Sequence, residues 1–341
     1  MPTIWDEILH PTPSARGKRM AWRLLRQFAS SEQMDREFSG RPKWHWTVSE
    51  QPSQAGEHAV KLLMSQPHGV RCETVVLLPN GPAVPSPAPA ARAARQRRAT
   101  VCVSSQPGCG VGCPFCATAS LGYRGNLSAQ EIVEQVYWGG CRAAQCGRRL
   151  RNVVYMGMGE PLHNATAVFE SLHWLTSDGG FGLSPRRITV STVGIPAAML
   201  ELARQFPRVR LALSLHAADH ELRKQLVPKA VGDLPLLRNT IAAVNSLQVQ
   251  PVWIEVVLLK QVNDSLQHAR QLVEFCRTLN VEINLIPYNS AANAKYFSAS
   301  ERGQREAFAE VLRAAGIRAT IRTSLGSASQ AACGQLTASG R

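Results

Sequence analysis

From residue 100 onward the chain alternates short β-rich runs with helical stretches, and that alternation leaves few folds open to it. The β-rich runs fall at residues 100–104, 152–156, 187–191, 209–215, 252–258, 281–286 and 317–321. Helical periodicity fills most of the gaps, as at 128–138, 165–175, 265–279 and 301–315. A strand–helix–strand repeat implies parallel strands joined by right-handed crossovers. Six or seven such units suit an open or partial (β/α) barrel better than a closed eightfold one, with chemistry where strands end and loops begin.

The rest of the chain is organised differently. Residues 1–79 read as a small N-terminal accessory region. It opens with a basic amphipathic stretch (Arg16, Lys18, Arg19, Arg23, Arg26) and ends in two hairpin strands near 58–64 and 72–78. Residues 80–98 hold four Pro, six Ala, four Arg and no acid, the composition of a flexible cationic loop or linker. It reads either as a solvated spacer or as an RNA-touching arm, with Arg92, Arg95, Arg97 and Arg98 as candidates for backbone contacts. Residues 99–341 are expected to form the main domain, including a strand extension at its C-terminal end. At 341 residues and 45% hydrophobic content the chain can bury a large core, which excludes wholesale disorder. No apolar run approaches the roughly 18 residues of a membrane span. The first residues show no basic region followed by an apolar stretch, so a soluble, cytoplasmic protein is expected. Lys and Arg number 38 against 24 Asp and Glu, so the net charge is 38 − 24 = +14. That balance favours an anionic partner, with nucleic acid the first candidate and a merely basic surface the alternative.

Nine cysteines in a chain of this kind argue for reduced thiols rather than a disulfide framework. Three of them form Cys109-Gly-Val-Gly-Cys113-Pro-Phe-Cys116, directly after the first expected strand of the barrel. Three thiolates in C-x₃-C-x₂-C spacing can share one soft metal centre. A structural zinc takes four ligands, and no fourth Cys or His lies nearby in sequence. A four-iron cluster accepts three protein ligands when a small molecule takes the fourth iron. Three buried structural cysteines, or a zinc knuckle completed from afar, are the competing readings. Cys141 and Cys146, five residues apart, read as ordinary thiols more readily than as a second metal site; Cys72 and Cys276 fall in no motif.

Further motifs follow in order: Thr100-Val-Cys-Val-Ser-Ser-Gln-Pro-Gly-Cys109, Met156-Gly-Met-Gly-Glu-Pro-Leu162, Arg186-Arg-Ile-Thr-Val-Ser-Thr-Val-Gly194, Leu213-Ser-Leu-His216, Val262-Asn-Asp264, Ile283-Asn-Leu-Ile-Pro-Tyr-Asn289 and Ala331-Ala-Cys-Gly-Gln-Leu336. Together they resemble the RlmN/Cfr family of radical-SAM RNA adenine methyltransferases, over roughly residues 70–336. The resemblance implies a partial (β/α)6 radical-SAM barrel carrying one 4Fe-4S cluster on Cys109, Cys113 and Cys116. It implies S-adenosyl-L-methionine (SAM) contacts at Gly159, Glu160, Ser191, Ser214, Leu215, His216 and Asn289. Two SAM molecules serve each turnover in such enzymes. One methylates Cys333; the other yields a 5′-deoxyadenosyl radical that takes hydrogen from that methyl. The resulting carbon radical adds to carbon 2 or carbon 8 of an adenosine, Cys102 removes the ring proton, and a transient Cys102–Cys333 disulfide releases the product. Glu73 matches an acidic position assigned as proton acceptor, a surface strand Glu being the plainer alternative. The implied partners are RNA, 23S rRNA first and tRNA second, and an electron donor such as flavodoxin or ferredoxin, with a monomeric enzyme. Two other readings stay open: the same fold and cluster acting on a different acceptor, and a non-catalytic metal-bearing RNA-binding protein. A distant thiol at Cys333 speaks against the latter.

Overall fold

A computed structural model describes residues 22–23, 25–28, 44–51, 58–79, 98–290, 296–327 and 329–338. Arg16, Lys18, Arg19, Arg92, Arg95 and Arg97 therefore lie outside the described residues. Among the described residues, ten strands form one mixed sheet whose spatial order is the chain order. They are β1 (Thr47–Glu50), β2 (Ala59–Ser65), β3 (Arg71–Leu77), β4 (Arg98–Val103), β5 (Arg149–Tyr155), β6 (Ile188–Thr192), β7 (Arg210–Ser214), β8 (Val252–Leu258), β9 (Val281–Pro287) and β10 (Ala319–Ile321). From β4 to β10 every neighbouring pair is parallel. β10 is the strand extension expected at the C-terminal end.

The crossovers are helical, as parallel pairing requires. Along the chain they are α1 (Ala129–Gln145), α2 (Ala165–Thr176), α3 (Pro196–Gln205), α4 (His220–Leu226), α5 (Leu234–Leu247), α6 (Leu266–Cys276) and α7 (Arg302–Ala314). Their starts follow local chemistry. Ser128 and Glu131 close a capping box on α1. Asp219, Asp233 and Ser265 accept from backbone N–H groups at the starts of α4, α5 and α6. Strand β6 is buried along its whole length, as expected for a parallel strand covered on both faces.

The N-terminal hairpin is part of the same sheet, not a separate layer. β3 pairs antiparallel with β4, Val75 opposite Cys102, so β1–β3 cover the edge that β4 would otherwise leave open. The sheet thus runs across the boundary expected at residue 79, and Arg98, expected at the end of the insert, is the first residue of β4. Trp44 stacks on Tyr137 of α1 at 4.7 Å, and Glu134 of α1 accepts the backbone N–H groups of His45 and Trp46. These contacts seat the leading segment against the first helix.

Candidate active site

Side chains alternate along a strand, so every second residue faces the inside of the curved sheet. Thr189 and Ser191 on β6, Arg210 and Ser214 on β7, and Trp253 and Glu255 on β8 follow this step of two. They line two joined cavities. The smaller, about 160 Å³, lies at the C-terminal ends of the strands. The larger, about 440 Å³, runs toward the N-terminal ends of β5 to β8. Met156, Glu255, Ile286, Asn289, Cys333 and Leu336 line both and form the waist between them.

Cys109, Cys113 and Cys116 line the smaller cavity with Gly159, Glu160, Ser191, Ser214, His216, Asn289 and Cys333. Residues spread over 225 positions of sequence thus meet at one site. Burial pushes the Cys109 thiol up to about 11 and raises Cys113 and Cys116 as well. Such thiols stay protonated until a cation takes the proton's place. Among the described residues no three Cys, His, Asp or Glu side chains are disposed around a single metal ion. Three soft thiols lining one cavity, not drawn in around a single ion, fit a polynuclear iron–sulfur cluster better than one zinc. Phe115 of this loop is buried and packs edge-on against His216, 4.8 Å between ring centres.

The opposite wall carries a close-approach glycine, a buried carboxylate and hydroxyls. Gly159 has φ +95°, and a Cβ there would lie 2.5 Å from Gln106 Cβ, so only glycine fits. Glu160 follows; its two carboxylate oxygens accept from Leu162 N–H (2.9 Å) and Val193 N–H (2.8 Å). Burial pushes its carboxyl up to about 7, against hydrogen bonds from Thr192, Val193 and Leu162. A bound ammonium would restore the ionised form. Ser191 donates to Glu255 at 2.8 Å and lies 3.1 Å from the Ser214 hydroxyl. His216 Nδ1 accepts the Val257 N–H at 3.2 Å, which leaves the ring proton on Nε2. Burial, then the Arg223 charge, lowers the imidazole to about 3, so it stays neutral.

Cys333 arrives from the far end of the chain. Its loop is tied down on several sides: Ala117 N–H donates to Gly334 O (2.7 Å), Thr118 Oγ1 to Leu336 O (2.7 Å), and Asn289 Nδ2 to Cys333 O (3.3 Å). Gln335 holds the loop from within, accepting from Ala332 N–H and donating to Ser290 O. Cys333 reaches solvent inside the cavity, yet protein surrounds it, and burial with Glu255 pushes its thiol up to about 11. Cys102 shares the larger cavity with Cys333, and burial and the neighbouring Cys333 raise its thiol strongly. Both thiols are free.

Two expected site residues lie elsewhere. Leu215 is buried in the core and lines neither cavity; its N–H donates to Glu255 O, and its carbonyl accepts from Arg223. Glu73 is neither a surface residue nor a cavity residue. It is fully buried, 3.1 Å from Lys61 Nζ, with its other oxygen accepting Thr337 N–H at 2.9 Å. Sequence reasoning missed Glu255, Arg223 and Gln335. Arg223 is buried and donates to Ser214, Leu215 and Val193 carbonyls, holding the ends of β6 and β7 beside the three-cysteine loop. An acid at the centre of the apolar run 252–259 was the one signal that could have exposed Glu255. Cys141 and Cys146 are occupied locally, by Phe28 O and the Arg142 guanidinium.

A curved parallel sheet with three cysteines above its strand ends is the arrangement of a radical SAM protein, and the radical SAM superfamily pattern matches residues 103–275. A probable RNA methyltransferase of Rhodopirellula baltica is 42% identical over 280 residues, 82% of this chain and 70% of that one. A probable dual-specificity RNA methyltransferase RlmN of Chlorobium luteolum is 40% identical over 297 residues, 86% and 77% of the two chains. The crystal structure of a radical SAM methyltransferase from Sphaerobacter thermophilus superimposes with a TM-score of 0.85 at 34% identity, covering 99% of this chain and 98% of that one. The chain belongs to the RlmN/Cfr family of radical SAM RNA methyltransferases. No helix among the described residues is long and apolar enough to cross a membrane.

Proposed function

We propose that the protein methylates carbon 2 or carbon 8 of an adenosine in RNA, with 23S rRNA the first target and tRNA the second. The observation that carries this reading is Cys333 at the waist, open on one side to the cluster cavity and on the other to the cavity of Cys102. Cys109, Cys113 and Cys116 would hold the 4Fe-4S cluster. Gly159, Glu160, Ser191, Ser214, His216 and Asn289 would hold SAM; Leu215, with its N–H on Glu255 and its carbonyl on Arg223, would support that strand end without touching SAM. When bound, the cluster supplies the electron that cleaves the sulfonium of SAM to a 5′-deoxyadenosyl radical.

The chain's own residues do the rest. Glu160 offers its carboxylate to the ammonium of SAM, and Gly159 lets the backbone approach. Cys333 Sγ, as thiolate, takes the methyl from one SAM; S-adenosylhomocysteine leaves, and the thiol proton passes to solvent or to Glu255, the carboxylate that lines both cavities. The 5′-deoxyadenosyl radical from a second SAM would take a hydrogen atom from the Cys333 methyl, and the resulting methylene radical would add to the ring carbon of adenine. As Cys102, a thiolate, removes the ring proton, one electron would leave the adduct for the electron carrier. Cys102 sulfur then attacks Cys333 sulfur; the Cys333 sulfur–carbon bond breaks, and the departing carbon takes the proton from Cys102 to become the methyl group of the released RNA. That disulfide must be reduced for another turnover, which suits a reducing, cytoplasmic setting. Two SAM molecules are consumed per methyl group transferred. Flavodoxin or ferredoxin would supply electrons, and one chain holds every residue named, consistent with a monomer. The burial of Glu73 against Lys61 supports an anchoring role better than proton transfer to or from RNA.

Anaerobic reconstitution followed by mass spectrometry tests the reading. About four irons per chain and one methyl on Cys333 after SAM addition are expected. Bound zinc, or a Cys333 that never gains the methyl, overturns it and returns the non-catalytic RNA-binding alternative.

A further inference from the structure

The larger cavity has a chemical character that the cysteine chemistry does not use. Arg186 and Arg187 precede β6, Arg210 opens β7, and Arg322 follows β10; all four line the cavity. Its ionisable lining otherwise holds one carboxylate, Glu255, and the two thiols Cys102 and Cys333. The lining itself carries four guanidiniums against one carboxylate, 4 − 1 = +3 around about 440 Å³, and Glu282 just outside it offsets the charge of Arg210.

The four arginines are not equivalent. Arg210 is held in place: its guanidinium lies 4.3 Å above the Trp253 ring, donates to Gln250 Oε1 at 2.6 Å, and lies 3.4 Å from Glu282 Oε2. Arg322 sits 5.8 Å from the same ring. Arg186 and Arg187 are exposed, and among the described residues neither side chain makes a hydrogen bond or ion pair. Such unpaired forks at the rim of a cavity match phosphate geometry, where two N–H groups meet two oxygens. The cavity volume falls within the roughly 300–1,000 Å³ of small-ligand sites, room for a single nucleotide but not for a stacked helix. An adenosine reaching Cys333 by this route must leave its stack, and the phosphates beside it would stay at the rim.

We propose that Arg186 and Arg187, with Arg322, form the phosphodiester clamp of the substrate RNA, and that the nucleotide to be modified enters from the N-terminal ends of β5 to β8. The clamp takes single-stranded or looped RNA through its backbone, with Arg210 and Trp253 as its fixed wall. This rests on the RNA methyltransferase reading and adds to it the face on which RNA docks.

Salt dependence of binding tests the clamp. The probe is a fluorescein-labelled single-stranded RNA of sixteen nucleotides, containing one adenosine among uridines, titrated with reconstituted full-length protein. Each phosphate contact in single-stranded nucleic acid contributes about 0.7 to the slope of log affinity against log salt. R186Q/R187Q should flatten the slope by about 1.4, so the variant loses roughly sevenfold less affinity than wild type between 50 and 200 mM salt. R322Q should remove about 0.7 more. R204Q/R277Q removes the same charge from the outer helical layer and should leave the slope unchanged. Equal denaturation midpoints for the two double variants show that the loss is not one of folding. An unchanged slope in R186Q/R187Q, or an equal loss in R204Q/R277Q, overturns the clamp while wild-type RNA binding keeps the parent reading intact. If wild-type protein shows no salt-dependent RNA affinity, both fall together.

Discussion

Lys61 is the residue whose replacement most directly separates anchoring from chemistry. Its ammonium lies 3.1 Å from Glu73 Oε1 and 3.4 Å from Gln330 O, with side-chain exposures of 9% for Lys61 and 0% for Glu73. The other Glu73 oxygen accepts Thr337 N–H. Gln330 and Thr337 flank Cys333 on either side, so one buried ion pair holds both flanks of the loop that carries it. Lys61→Met leaves the Glu73 carboxylate buried and without its cation, a loss of about 3–5 kcal/mol. For a chain of this length, at about 2.1 cal/mol/K per residue, that lowers Tm by roughly 4–7 °C. Lys61→Met/Glu73→Gln should regain most of it, because a neutral amide still accepts from Thr337 and no charge is stranded. Denaturant unfolding of the three proteins measures the coupling, and mass spectrometry of Cys333 after SAM addition measures whether the loop is still presented. The single variant should lose both stability and methyl uptake; the double should regain both. A Lys61→Met protein within about 1 kcal/mol of wild type, alongside a Glu73→Gln protein that takes up methyl but never completes turnover, would refute anchoring. Glu73 would then act as the proton acceptor that the family resemblance suggests.

Three other outcomes follow from the site. Because burial puts the Glu160 carboxyl at about 7, it is largely protonated at pH 6 and ionised at pH 7.5. SAM affinity should therefore rise roughly eightfold across that interval as the carboxylate forms, and Glu160→Gln should bind weakly with no such rise, as isothermal titration would show. Cys102→Ala should accept methyl on Cys333 yet stall after joining RNA, leaving an RNA–protein adduct visible as a denaturation-resistant band; normal product release would rule out the disulfide step. Gly159→Ala places a Cβ 2.5 Å from Gln106 Cβ at φ +95°. It should lower stability by about 1–3 kcal/mol and weaken SAM binding at least tenfold, measured by unfolding and by equilibrium dialysis.

Much of the architecture was legible from the linear pattern because it depends on local rules. Strand periodicity located the seven parallel strands to within a few residues, and the close spacing of Cys109, Cys113 and Cys116 put three thiols at one cavity. Pattern also predicted the hairpin that became β2 and β3. It read the hairpin as a separate accessory region, because nothing local says that β3 will cover the edge of β4. The helix α4, seven residues long, was too short to show a clear period, and with it Arg223 was missed. The insert at 80–97 lies outside the described residues.

What tertiary structure alone decided is which residues meet. The sequence by itself determined a parallel α/β sheet and a thiol triad after its first strand, since periodicity and ligand spacing act over a few residues. It could not place Cys333 beside Cys102, 231 positions apart, because that meeting depends on a loop held by Ala117, Thr118, Asn289, Glu73 and Lys61 from distant elements. Nor could it show that Glu73 is buried against a lysine, or that Glu255 sits at the waist between two cavities. Those facts arise when the sheet curves and its inward-facing residues converge, and only packing fixes where they converge.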